Sequence, residues 1–271
     1  RQLIRTGLEG VREITEMDDS LIFYQEEISK IEKLLEQIRP DLLFLNGFSV
    51  YCWVLLVAAK NQGIPVATQH AGLFTKEVKI YEDLFTPASI KVCREMTQSL
   101  VDLADANIFL NEFSYNALQK DLGVNEIKNS HIVPLPRPDW PTIETFEPKQ
   151  NNEKKIGVIA RWDRIKNHQA VLALAEEIKK QKLPWTIYAV TKIPDTPKFV
   201  EFKNKYRETI NIIPPMDREQ LKDFYGSLDL LILPSHFDVS PTVVMEGLTV
   251  GLPTVISENV GWVSEYEQCG M

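Results

Sequence analysis

The alternation of short apolar runs with amphipathic stretches constrains this chain more than any other feature of its sequence. Ser20 to Ile38 reads as a helix with Ile28, Ile31, Leu34, Leu35 and Ile38 on one face. Asp41-Leu42-Leu43-Phe44-Leu45 reads as a buried strand, Ser49 to Asn61 as a helix, and Ile64-Pro65-Val66-Ala67-Thr68 as another strand. A helix over Ala88 to Leu103, a strand over Ala106 to Leu110, a helix over Glu112 to Leu122 capped by Gly123, and a strand over His131 to Val133 follow. A second set opens with the strand Lys155 to Ala160. It continues through a helix from Asn167 to Lys180, a strand from Trp185 to Val190, a helix near Lys198 to Tyr206 and a strand from Ile210 to Ile213. Asp217 with Gln220 forms a capping-box pattern for the helix to Tyr225, and Leu228 to Leu233 is a further strand. Such alternation predicts parallel sheets covered by helices, an α/β fold.

One stretch breaks the pattern. Pro134, Pro136, Pro138, Pro141 and Pro148 lie together with a polar tail, so the chain is divided here into a first domain over 1–138, a linker over 139–153 and a second domain over 154–271. A length of 271 residues accommodates about two ordinary domains. The net charge of -8 carries no basic footprint, which argues against a nucleic-acid partner. Cys52, Cys93 and Cys269 are far apart and form no Cys-x-x-Cys, which fits buried thiols in a reducing compartment. The longest apolar run, Val50 to Ala59, is too short for a membrane span of about 20 residues. A cytoplasmic location is expected, with peripheral contact at the inner face of the membrane as an option.

Chemistry concentrates after the strands of the second domain, where open parallel sheets bind ligands. Arg161 follows the first strand and Lys166 stands where the next helix begins; a guanidinium and an ammonium so placed can grip a diphosphate. Two solvated loop charges are the plain alternative. Further on, Leu231 to Ser257 opens with a strand, passes Pro234-Ser235 and a loop holding Asp238, and reaches Ser240-Pro241. Serine is a favoured N-cap and proline a favoured first helical residue, so the helix is expected to be capped by Ser240 and to start at Pro241. Thr242 and Val243 are then the nearest free amides for a ligand, unless the Ser240 side chain caps one of them. Glu246 lies inside this helix, Gly251-Leu252-Pro253 ends it, and Thr254-Val255-Ile256 runs on as a strand. A plain capping or ion-pair role is open to Glu246. In the first domain His70 follows a strand within Thr68-Gln69-His70-Ala71-Gly72-Leu73-Phe74; a lone histidine is also compatible with a structural role.

Asp238 and Glu246 with seven residues between them, the strand-Pro-Ser before them and Gly-Leu-Pro after them resemble the donor motif of retaining GT-B glycosyltransferases of the family 4 (group 1) type. That family usually has Glu-Phe-Gly where this chain has Asp238-Val239-Ser240, and Gly where it has Asn167. Glu258, Gly261 and Glu265 resemble the family's next donor-side segment. The resemblance implies two Rossmann-like, doubly wound domains facing a cleft, the first binding the acceptor and the second the nucleotide sugar. Both are expected to be incomplete: the first shows about four strands and lacks the family's opening strand and Gly-rich loop, and the second stops at Met271 soon after the motif.

By the same resemblance, a sugar moves from a nucleotide-diphosphate sugar to an acceptor with retention at the anomeric carbon. The acceptor class is left open among a glycan, a lipid-linked molecule and a small molecule. Arg161 and Lys166 would hold the diphosphate, Asp238 the sugar hydroxyls, Glu246 the ribose, and Ser240, Thr242 and Val243 the rest of the donor. His70 would face the transferred sugar, which makes His70, Asp238, Arg161 and Lys166 the expected catalytic set. A phosphate oxygen of the donor would take the acceptor proton. No cofactor and no metal are expected, since the sequence has no Asp-x-Asp; it also has no Gly-x-Gly, His-Glu-x-x-His or Gly-x-Ser-x-Gly. The alternatives are a non-catalytic sugar-nucleotide or glycan-binding protein and a sugar-nucleotide epimerase on the same fold.

Overall fold

The computed structural model describes residues 16–136, 138–140, 152–192, 200, 204 and 208–268. The chain divides after Pro134 into two compact units. Most of the expected linker, 141–151, and nearly all of the helix expected near 198–206 lie outside the described residues.

The first unit begins with helices α1 (Met17–Phe23) and α2 (Gln25–Ile38). The single helix expected from Ser20 is broken at Tyr24, whose φ of -97° and ψ of 13° leave the helical range. Tertiary packing causes the break: Tyr24 is buried and sets its ring edge against Trp53, centroids 6.3 Å apart. Strand β1 (Leu43–Asn46) leads to α3 (Val50–Asn61), where the Ser49 hydroxyl accepts from the Cys52 amide at 3.1 Å. α3 is apolar around most of its circumference and largely interior, with Trp53, Val54, Leu56, Ala58 and Ala59 buried and only Asn61 at its end exposed.

Strand β2 (Val66–Gln69), the short helix α4 (Phe74–Glu77) and the long helix α5 (Pro87–Leu103) come next. They are followed by β3 (Ala106–Phe109), α6 (Glu112–Leu122) and β4 (Ser130–Ile132). Capping boxes start α5 (Thr86 with Ser89) and α6 (Asn111 with Ser114), and Gly123 closes α6 at a φ of 73°. The sheet is parallel throughout in the order β1-β2-β3-β4.

The second unit runs β5 (Lys154–Ile159), α7 (His168–Gln181), β6 (Trp185–Val190), β7 (Ile210–Ile213), α8 (Arg218–Ser227), β8 (Leu230–Leu233), α9 (Thr242–Thr249), β9 (Thr254–Ile256) and α10 (Val263–Gln268). Asp217 and Gln220 make the expected reciprocal capping box at α8. All five strands are parallel in the order β7-β6-β5-β8-β9. The chain thus winds outward from β5 to one edge, crosses back, and continues from β8 to the other. The reversal opens a crevice between β5 and β8 at their carboxyl ends, the usual ligand position in such sheets.

Close packing of α9 on this sheet depends on Gly247: a Cβ there would lie 2.8 Å from a Leu231 methyl. Gly251, at a φ of 69°, turns the chain out of α9 into Leu252, whose amide returns to the Gly247 carbonyl at 2.9 Å.

Candidate donor site in the second unit and histidine site in the first

Arg161 and Lys166 lie on the loop after β5, and Asp238 on the loop after β8. These are the two loops that flank the reversal of strand order. The Lys166 ammonium and the Asp238 carboxylate form an ion pair across them, each side chain 16% exposed. Asp163 holds the Lys166 turn by accepting from the Ile165 amide at 3.1 Å. Asp238 is held by its backbone: its amide donates to Asn259 and its carbonyl accepts from Gly261, bridging parallel to Val260. Both charged groups therefore stand on short, tied segments. The Arg161 side chain is exposed, and no ion pair engages it among the described residues. Its backbone is fixed from behind, since its carbonyl meets His168 Nε2 at 2.8 Å.

A carbonyl can only accept, so His168 carries its proton on Nε2. The His168 ring stacks on Trp162 at 4.1 Å and 8°. Burial lowers its pKa; the Arg161 carbonyl and Asp163 oppose that shift, while Lys166 adds to it.

The helix start differs from the sequence expectation by one residue. Pro241, not Ser240, occupies the N-cap position, with φ -68° and ψ 116°, and no side chain caps the helix. Pro241 is itself extended rather than helical, so the first helical residue is Thr242. Thr242 and Val243 remain the first two helical amides, ahead of any i to i-4 bond. Ser240 is half-buried, Thr242 exposed and Val243 half-buried.

Glu246, one turn into α9, accepts a 2.7 Å hydrogen bond from the Tyr225 hydroxyl of α8. Tyr225 is buried, and burial together with the Glu246 charge raises its pKa strongly, so it stays a neutral donor. The carboxylate is thus oriented by one oxygen. Two buried hydroxyls at the same sheet edge, Thr191 Oγ1 after β6 and Ser235 Oγ after β8, have no hydrogen-bond partner. Glu258 is exposed, and the side chain of Glu265 lies outside the described residues.

The roles of Tyr225 and His168 escaped the sequence reading, which marked the segment after β9 by Glu258, Gly261 and Glu265 but not the backbone hold of Asn259 and Gly261 on Asp238. Tyr225 stands 21 positions from Glu246 in a helix of ordinary pattern, so nothing local marks it.

In the first unit His70 directly follows β2 and is 5% exposed. Its Nε2 meets Asn107 Oδ1 at 2.9 Å, and its ring stacks on Phe109 at 4.6 Å. The Asn107 amide nitrogen donates to the carbonyls of Val101 and Lys128, which fixes Oδ1 as the acceptor facing His70. His70 therefore holds its proton on Nε2 and presents Nδ1 as an acceptor. Burial lowers its pKa against the opposing Asn107 bond, so the ring is kept neutral. Among the described residues no three His, Cys, Asp or Glu side chains gather as a metal site, and no helix is long and apolar enough to cross a membrane.

Residues 141–270 match the family model described as Glycosyl transferases group 1. A Bacillus subtilis (strain 168) protein assigned as the glycosyltransferase EpsF is 24% identical over 105 residues, which are 39% of this chain and 27% of that protein. Among solved structures, sucrose-phosphate synthase from Thermosynechococcus elongatus aligns over 89% of this chain and 62% of its own, with 13% identity and a TM-score of 0.66. A trehalose-6-phosphate structure from E. coli bound with UDP-2-fluoro glucose aligns over 90% of this chain and 65% of its own, with 13% identity and a TM-score of 0.62. The chain thus spans about a quarter of the curated relative and under two thirds of these two structures. The fold is that of the GT-B glycosyltransferases, and residues 141–270, just under half of the chain, are similar to the group 1 glycosyl transferases.

Proposed function

We propose that the protein transfers a sugar from a nucleotide-diphosphate sugar to an acceptor with retention of anomeric configuration. The observation that carries this reading is the Lys166–Asp238 pair, which joins the two loops at the reversal of strand order inside the region matched by the family. In this reading Lys166 and the exposed Arg161 take the diphosphate, the Arg through two parallel hydrogen bonds. The first amides of α9 face the same anion. Asp238 accepts from the sugar hydroxyls, and Glu246, oriented by Tyr225, accepts from the ribose.

During transfer the bond from the anomeric carbon to the phosphate oxygen breaks, and its electron pair leaves with the nucleoside diphosphate. Arg161, Lys166 and the helix amides meet that charge as fixed, preorganised partners. The acceptor oxygen attacks from the same face, and its proton passes to a phosphate oxygen of the leaving group. No protein base is needed for that step. In the first unit, neutral His70 offers Nδ1 as an acceptor for a hydroxyl of the transferred sugar. Binding is proposed to be independent of metal.

The test is a panel of nucleotide sugars, assayed for transfer and donor hydrolysis with and without EDTA, the product anomer being read by NMR. Retention with turnover unaffected by EDTA is expected. Inverted product would overturn the mechanism. Tight nucleotide-sugar binding without turnover in the complete protein would favour the non-catalytic binder.

A further inference from the structure

The first unit contains a cavity of about 260 Å³ that the donor chemistry does not use. Phe48, Phe74, Val78, Leu84 and Phe85 line it, with Glu77 as the one charged side chain among its lining residues. Its position follows from the topology. Phe48 comes directly after the Gly47 turn that ends β1, and Phe74 opens the short helix after β2, so the cavity lies at the carboxyl edge of the sheet. The aromatic walls are ordered against each other: Phe74 lies 5.0 Å from Phe48 and 5.5 Å, edge-on, from Phe85. Such edges and faces receive a further ring well.

The cavity also adjoins the His70 loop. Glu77 Oε1 reaches to 2.9 Å from where a Cβ on Gly72 would stand, two residues after His70. An apolar chamber and a carboxylate beside the histidine loop together describe a molecule with a hydrophobic body and a hydroxyl end.

We infer that this cavity binds the uncharged, one-ring hydrophobic part of a hydroxyl-bearing acceptor. Calling the occupant an acceptor rests on the proposed sugar transfer. Charge decides against the phosphorylated sugars: no Lys, Arg or His lines the cavity, and Glu77 would repel a phosphate. The size suits a single ring, a little below the usual range of small-molecule sites, about 300–1,000 Å³.

The test titrates the whole chain by calorimetry with phenyl β-D-glucoside, glucose and glucose 6-phosphate, and separately with UDP, GDP and ADP. Phenyl glucoside is expected to bind at least tenfold more tightly than either of the other two sugars. Leu84, 45% exposed at the cavity wall, can be enlarged without disturbing the core. Leu84→Trp is expected to weaken phenyl glucoside at least tenfold while leaving nucleotide diphosphate affinity unchanged.

Equal binding of glucose 6-phosphate, or an unchanged phenyl glucoside affinity in Leu84→Trp, overturns the inference. So does a dimer in sedimentation that Leu84→Trp dissociates, because the occupant is then a second copy. Should none of the three nucleotide diphosphates bind while phenyl glucoside behaves as expected, the sugar-transfer reading falls and the hydrophobic site stands.

Discussion

At the scale of single residues, the Lys166–Asp238 pair sets the electrostatics of the site. Lys166 is already neutralised by an acid on the facing loop, both side chains being mostly out of water. A bare diphosphate must therefore compete with Asp238 for Lys166, whereas a sugar hydroxyl can take over part of Asp238. Asp238→Asn is expected to tighten binding of the nucleotide diphosphate by about three- to tenfold, ~0.6–1.4 kcal/mol, and to lower transfer. Glu246→Gln should do the reverse to binding, weakening the same ligand by about tenfold or more. Calorimetry on the two variants checks both signs, and weaker binding in Asp238→Asn would remove the competition argument.

At the scale of elements, the two helices that hold Tyr225 and Glu246 are started differently. Asp217 caps α8 through the Gln220 amide at 2.9 Å, and Gln220 returns the bond at 3.1 Å. α9 has no side-chain cap, because Pro241 sits where a capping residue would. Asp217→Ala is expected to cost about 1 kcal/mol of stability. Ser240→Ala should fall within about 0.5 kcal/mol, the usual range of a surface change. Urea midpoints of the two variants decide it; a Ser240→Ala loss as large as that of Asp217→Ala would restore serine as the cap. The absence of a cap also leaves the first amides of α9 available to an anion, which a serine cap would have shared.

At the scale of the molecule, each unit buries one histidine in its neutral form, His70 in the first and His168 in the second. Their folded pKa values lie below the ordinary 6.5. The unfolded chain therefore binds protons more readily as the pH falls below about 6.5, and stability is lost from there downward. Above 6.5 both states are neutral at these sites and stability does not change on their account. Thermal midpoints measured from pH 7.5 to pH 5.5 should fall with pH, and the slope should be flatter in His70→Gln. An unchanged slope would mean that other groups carry the acid sensitivity.

The strand and helix alternation was legible because a parallel sheet buried on both faces needs continuous apolar runs, and β5, β6 and β8 supply them. The capping box at Asp217 and the turn at Gly251 were legible too, since each is set within a few residues. The break at Tyr24 was not: it depends on Trp53, in a helix beyond the next strand. Placing Arg161, Lys166, Asp238 and Glu246 after strands needed only spacing. Their mutual arrangement needed the order β7-β6-β5-β8-β9, which brings the loops after β5 and β8 together although Lys166 and Asp238 are 72 positions apart. The same holds for Tyr225 under Glu246 and Asn107 beside His70. Local sequence determines backbone conformation because turns, caps and periodicity act over a few residues. Which charges meet, and in which protonation state, is decided by burial and strand order, and these exist only once the sheet has formed.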